Sequence, residues 1–394
     1  MSNMVENILP EGWVEKKFGE VCKVINGRAY KKTELLSEGK YKVLRVGNLF
    51  TNNSWYWSDL ELKEDKYISN GDLIYAWSAS FGPRVWDGEK VIYHYHIWKI
   101  VNGIEVSKDF LYNWLDWKTE TIKKENTSGA TMIHVTKGMM ESLVIQFPDI
   151  EEQKRIVSKI DNLFAKIDKA IALTEESLVQ AKNLLPSVLK EVFENCEGSI
   201  MRLNEVSVIQ PKKNEVKDLD CEVSFVPMKF LNKKKIDFTP ESDKNIFDVY
   251  KGYTYFQDSD VLLAKVIPCF QNGKSGVAKG LTNGIGFGSS EFIVFRPYDF
   301  ILSEWLYYNI SSPDFLSEGN NNMSGAVGLK RLIKSFVTEW EIKVPDLKTQ
   351  KKYIDRITKV SNQSIKTQSK LEEQLAYLKQ LKSSILTKAF KGEL

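Results

Sequence analysis

The chain has 394 residues, a formal net charge of +3, and 27% charged, 42% hydrophobic and 12% aromatic residues. That length predicts two or three domains at roughly 100–200 residues each, and the hydrophobic content excludes a disordered chain. No run approaches the ~18 apolar residues of a membrane span, and near-neutral charge offers no bulk argument for nucleic acid.

The opening Met1-Ser-Asn-Met-Val-Glu6 lacks the basic head and apolar stretch of a secretory signal. Cys22, Cys196, Cys221 and Cys269 lie far apart with no CxxC pair. A disulfide framework or structural zinc is therefore not expected, and a reducing cytoplasm is. In the first globular stretch, 1–146, Lys42-Val-Leu-Arg-Val46 alternates as a strand does. Asn70 to Trp77 reads as a turn feeding a buried strand. Val91 to Ile100 reads as a further strand, with His94 and His96 on one face and no third ligand nearby to hold a metal.

A long helical segment follows, 147–198. Proline and Asp149 suit its start, with Glu152 where a capping-box partner would stand. Ile156, Ile160, Leu163 and Ile167, then Leu178, Leu185 and Val188, form a coiled-coil seam with one phase slip at Ile167. Pro186 cannot donate to the helix ladder and is expected to kink it.

The second globular stretch, 199–343, carries strand patterns at Asp258 to Lys265 and Phe292 to Phe295. Asn272-Gly-Lys-Ser275 lacks the first glycine of a phosphate loop, since Pro268 stands in its place. Gly284-Ile-Gly-Phe-Gly288 reads as a hairpin or bulge before the next strand. A second helical segment, 344–394, places Ile354, Ile357, Leu371, Leu375, Leu378 and Ile385 on its seam, with a more polar middle from Thr358 to Lys370 where looser pairing is expected.

The chain repeats itself. Phe147-Pro-Asp-Ile-Glu-Glu-Gln-Lys-Arg-Ile156 returns as Val344-Pro-Asp-Leu-Lys-Thr-Gln-Lys-Lys-Tyr353, at an offset of 197 residues. The offset holds without a gap through Leu178/Leu375 and Leu189/Leu386 to Phe193/Phe390. Fainter echoes link Asn70–Trp77 to Asp258–Lys265, Asp109–Tyr112 to Glu304–Tyr307, and Ser128-Gly-Ala130 to Ser324-Gly-Ala326. This predicts an α+β chain: two strand-rich globular domains separated by two long helices that form an antiparallel coiled-coil pair. At ~1.5 Å per residue each helix is on the order of 65–70 Å long.

No catalytic constellation emerges, and no Asn-Pro-Pro-aromatic stretch of the kind that holds a target amino group. What the chain offers is side chains suited to nucleic acid. The first globular stretch has Arg28, Tyr30, Lys31, Lys32, Arg45 and Asn48, then Trp77, Ser78, Arg84, His94, His96, Thr131 and His134. The second has Lys212, Lys213, Lys229, Asn232, Lys234, Lys265, Gln271, Asn272, Lys274, Lys330 and Arg331. Lysine and arginine neutralise phosphates, whereas Arg, Asn, Gln and Ser/Thr can read base edges. For any one of them a solvated surface side chain is the ordinary alternative. For the chain as a whole the alternative is a structural adaptor, whose paired helices dock other proteins and whose globular domains bind peptide or carbohydrate.

The chain resembles the specificity (S) subunit of type I restriction–modification enzymes over essentially its full length. The resemblance rests on the two Pro-Asp helix openings, the opening Leu9-Pro-Glu-Gly-Trp13 and the ending Ala389-Phe-Lys-Gly-Glu-Leu394. The Ser-Gly-Ala stretches and Gly288-Ser-Ser-Glu-Phe292 add to it. It implies that each globular domain is a target-recognition domain reading one half of a bipartite, asymmetric double-stranded DNA site. The helices would form the spacer of a pseudo-twofold body and dock two methyltransferase (M) subunits and, through them, restriction (R) subunits. It further implies no catalysis and no cofactor on this chain: S-adenosylmethionine belongs to the M subunits, ATP and magnesium to the R subunit. The contact residues above come from chemistry and loop position, because no family motif carries base-reading residues over. His96 stands roughly where Glu291 stands in the second domain.

Overall fold

The computed structural model describes residues 9–50, 53–78, 80–125, 135–216, 220–231, 236–326 and 328–394. Its contacts divide the chain into two units, Met1–Leu173 with Gln374–Leu394, and Thr174–Glu373. Each unit thus combines one globular stretch with part of each long helix.

In the first unit, Val14–Lys17 pairs antiparallel with Val144–Phe147 just before the helix. One four-stranded sheet runs in the order Cys22–Asn26, Ile97–Asn102, Leu73–Ser78, Ser80–Val85. A second runs Tyr56–Ser58, Tyr41–Leu44, Val91–Tyr93, Tyr67–Ile68, with a parallel pairing between Tyr41–Leu44 and Val91–Tyr93. The second unit repeats this plan and, among the described residues, adds a short antiparallel pair, Met323–Ser324 with Arg331–Leu332. Ser199–Arg202 pairs with Glu341–Val344. One sheet is ordered Ser207–Ile209, Phe292–Pro297, Val261–Ala264, Ser275–Val277. The other is ordered Ser242–Asn245, Glu222–Val226, Ile285–Gly288, Thr254–Gln257, with its parallel pairing again between the two middle strands. The faint sequence echoes are a repeated topology.

The run Leu73-Ile-Tyr-Ala76 is apolar at every position because its strand is covered on both faces. Leu73 and Tyr75 join the core beneath the helices, while Ile74 and Ala76 join the core between the sheets. Val261, Leu263 and Leu262 divide in the same way in the second unit. The alternation that marks a half-exposed strand is absent here for that reason.

The long helices span Ile150–Asn195 and Leu347–Ala389. Asp149 caps the first through Oδ1 to the Glu152 amide at 2.9 Å, and Asp346 Oδ1 caps the second at the Lys348 and Thr349 amides. Glu152 does not close a capping box; its carboxylate takes the Arg155 guanidinium instead. Within each unit the helices run antiparallel. In the first, Arg155 meets the Leu394 carbonyl and Asp168 meets Lys382. In the second, Ala181 meets Ser364 and Glu191 meets Arg356.

On the seam, Ile156, Ile160, Ile167 and Ile385 are buried in the first unit, with Leu163 and Leu378 half-buried. Ile354 and Ile357 are buried in the second, with Leu178, Leu185, Val188 and Leu371 half-buried; Leu375, in the first, is half-buried too. The polar middle of the second helix is tied, not loose. The Ser364 hydroxyl, 3% exposed, donates to the Ala181 carbonyl at 2.6 Å, and Thr358 meets the Tyr308 hydroxyl at 3.0 Å. The first helix holds Pro186 in its interior, beside which the Ser187 hydroxyl donates to the Asn183 carbonyl.

Two further expectations are corrected. Gly284 to Gly288 is no hairpin or bulge: Ile285–Gly288 is an inner strand. A Cβ on Gly286 would stand 2.2 Å from the Phe256 ring and one on Gly288 2.4 Å from the Val226 carbonyl, so only glycine fits there. The strand read across Val91 to Ile100 is two strands, with Tyr95 and His96 in the turn between them.

Candidate nucleic-acid interface

The repeated Pro-Asp-x-x-x-Gln carries a function of its own. The Gln153 side chain is fully buried: its Nε2 donates to the Glu105 and Pro148 carbonyls at 2.8 Å, and its Oε1 accepts the Ser107 amide at 2.9 Å. Gln350 makes the same three bonds, to the Phe300 and Pro345 carbonyls and from the Leu302 amide, at 2.9, 2.8 and 2.8 Å. Each glutamine locks a long helix to the loop that starts the next helix of its globular part, Lys108–Glu125 or Ser303–Ile310. The frame that holds the strand ends is therefore the same twice.

At the end of Leu73–Ser78 the Trp77 amide donates to the His96 carbonyl at 3.1 Å; at the end of Val261–Ala264 the Lys265 amide donates to the Glu291 carbonyl at 2.9 Å. His96 and Glu291 occupy equivalent backbone positions, and the side chains around them differ in kind. In the first unit they are rings. Trp77 meets His96 edge-on at 5.0 Å, stacks on Trp98 at 5.6 Å and donates through Nε1 to the Tyr95 carbonyl. His94 lies 4.8 Å from His96. Arg28 bridges to His94 through the backbone, lies over Tyr30, and is gripped by Glu34 at 3.1 and 2.7 Å. Arg45 and Asn48 both bond the Ser54 carbonyl. A cleft of about 290 Å³ opens beside the rings, lined by Asn26, Trp77, Tyr95, Trp98 and Lys137.

Burial, then the charges of His96 and Arg45, pull the His94 imidazole down to about 4, so it is neutral at pH 7. The Arg28 guanidinium holds the Glu34 carboxyl below the usual carboxylate range, and burial pushes the Tyr30 phenol up.

The equivalent place in the second unit is ionic. Arg331 grips Glu291 through Nε at 2.9 Å and Nη2 at 2.7 Å, and Lys265 Nζ donates to the Ser290 carbonyl at 2.8 Å. Lys330 adjoins Arg331 and accepts the Ile267 amide through its carbonyl. Lys274 Nζ reaches the Met228 carbonyl, beside Lys229, and exposed Gln271 and Asn272 lie in the turn preceding Lys274.

Several candidates stand apart. Arg84 lies over Phe50 and lines a separate groove with Tyr112 and Asp116. Ser78 faces Ser80 in the hairpin register, Lys31 and Lys32 are exposed on a short helical turn, and Lys213 is tied to Tyr250 while Lys212 is exposed. Thr131, His134, Asn232 and Lys234 lie outside the described residues, as does the Ser128-Gly-Ala130 triplet. Sequence reasoning missed Glu34, whose carboxylate fixes Arg28. Among the described residues no group of three His, Cys, Asp or Glu could hold a metal, and no helix is long and apolar enough to cross a membrane.

Against known proteins, the family model of the type I restriction modification DNA specificity domain matches residues 10–177 and 195–377. The chain belongs to this family. Its two matched copies coincide with the repeated topology described above. Relatives include the specificity subunits of the type I restriction enzymes EcoAI and EcoEI of Escherichia coli, 35% and 34% identical over 223 and 221 residues. Each of those matches spans 55% of this chain but only 36% of the relative. The EcoBI specificity subunit is 22% identical across 98% of this chain and 86% of its own length. Two solved structures share the fold over 98% of this chain: one from a study of type I R-M complex assembly and conformational transition, and the HsdS subunit from Thermoanaerobacter tengcongensis. Their TM-scores are 0.74 and 0.56 at 21% and 20% identity, covering 99% and 98% of those chains. In this family member, then, the two strand-end surfaces belong to two copies of a DNA specificity domain.

Proposed function

We propose that this chain is the sequence-reading subunit of a type I restriction–modification complex and performs no chemistry itself. Each unit reads one half of a bipartite, asymmetric double-stranded DNA site. The helices dock two methyltransferase subunits, which carry S-adenosylmethionine, and through them restriction subunits, which carry ATP and magnesium; the complex works in the cytoplasm. The observation that carries this reading is one backbone frame, built twice, holding rings around His96 and an ion pair at Glu291. Equal frames with unlike side chains suit unlike half-sites, because base edges are told apart by the donors and acceptors presented to them. The modest net charge of +3 fits a subunit whose partners share the phosphate contacts.

Salt-titrated binding to random duplex tests the reading against a peptide- or carbohydrate-binding adaptor. The chain with its cognate methyltransferase subunit is expected to lose on the order of 10³-fold or more in affinity between 50 and 200 mM salt, as six or more phosphate contacts require. The chain alone is expected to bind weakly and transfer no methyl group. A salt-independent affinity, or methyl transfer by the chain alone, contradicts the proposal.

A further inference from the structure

Among the described residues, three arginines of the globular parts are clamped by acids at two points or more, and they differ in which edge of the guanidinium the acid takes. Arg296 is consumed entirely: Nε and Nη2 go to Asp260 at 2.9 and 2.8 Å, Nη1 goes to Glu215, and the side chain is 18% exposed. Arg28 gives Nη1 and Nη2, its end-on edge, to Glu34. Arg331 gives its side edge, Nε with Nη2, to Glu291. Its end-on edge meets only the Leu329 carbonyl, from Nη1 at 3.5 Å, among the described residues. That side chain is 47% exposed.

The end-on edge presents two parallel N–H donors, the pattern that matches O6 and N7 of guanine in the major groove. A fork held in plane by a carboxylate has lost little further rotamer freedom to make that contact. The carboxylate also cancels the guanidinium's charge, so the pair attracts phosphate weakly, which favours a base edge over the backbone. The place is the right one as well. Val266 bridges to Arg331 and the Lys265 amide bonds Glu291, which puts the pair at the strand end where the two units diverge.

We propose that Arg331, its fork fixed by Glu291, reads a guanine in the half-site bound by the second unit, through Nη1 and Nη2 to guanine O6 and N7. Glu291 is a positioning residue. The proposal rests on the DNA-reading function above, and the test separates the two.

The full chain is expressed with its cognate methyltransferase subunit in a host lacking adenine methylation, and the methylated motif is read by methylome sequencing. A bipartite motif from the unaltered chain upholds the functional reading, and no motif overturns it whatever Arg331 does. Arg331→Lys keeps the charge and removes the fork. It is expected to lower preference for guanine at one position of one half-site by roughly 5- to 100-fold, the range a bidentate pair supplies, and to leave the other half-site unchanged. Glu291→Gln is expected to relax the same position less. Should the lysine variant not assemble, Arg331→Gln is read in the same way. An unchanged motif overturns the proposal. So does loss that is uniform across sequences with melting unchanged, which would make Arg331 a phosphate contact.

Discussion

In the first unit the end of the central strand meets tryptophan and histidine rings; in the second the same backbone place holds a lysine beside a glutamate locked on an arginine. The frame beneath those side chains matches in the strand order of its four-stranded sheets, in the parallel pairing, and in the glutamine that ties helix to loop. The difference teaches where the chain is constrained by folding and where it is released from it. A buried frame admits few solutions, so it is written twice in similar residues. A surface that meets another molecule answers to that molecule.

Matched substitutions can break this equivalence. Ile160→Ala and Ile357→Ala each empty a fully buried seam position, one per unit, and each is expected to destabilise its own unit by about 2–5 kcal/mol. Hydrogen exchange resolved by unit checks this; loss spread evenly over both units from one substitution would contradict two separate cores. Gln153→Leu and Gln350→Leu each strand two carbonyls and an amide, and each is expected to cost about 3 kcal/mol. Unequal losses in urea unfolding would show that the two clamps are not equivalent.

A smaller effect is confined to the first unit. His94 keeps its proton off down to about 4 in the folded chain, against the usual 6.5. Between those values the unfolded chain binds more protons, so stability rises with pH and is lost as pH falls from about 6.5 towards 4. His94 belongs to the first unit, so the acid profile of that unit should be the steeper over this window. His94→Gln should flatten it; an unchanged slope in that variant would assign the proton uptake elsewhere.

The helices and their repeat were legible because their constraints are local: a capping aspartate, a seam spacing, and a glutamine whose bonds need the same residue in both copies. The role of that glutamine was not legible, since Glu105 and Phe300 lie far away in sequence. Period-two spacing placed His94 and His96 in a strand, but His96 begins a second strand's approach through a turn that spacing alone does not mark. Gly286 and Gly288 look like turn residues until Phe256 and Val226 close over them. Arg28 and Arg331 were legible as basic side chains, whereas their acid partners, six and forty residues away, decide which donors remain.

The central claim is that one frame, repeated, presents two different reading surfaces. The adenine-methylation motif laid down by the unaltered chain with its methyltransferase subunit tests it most directly. Two unlike half-sites separated by unread base pairs are the expected result. A continuous motif, or two identical half-sites, would contradict the account.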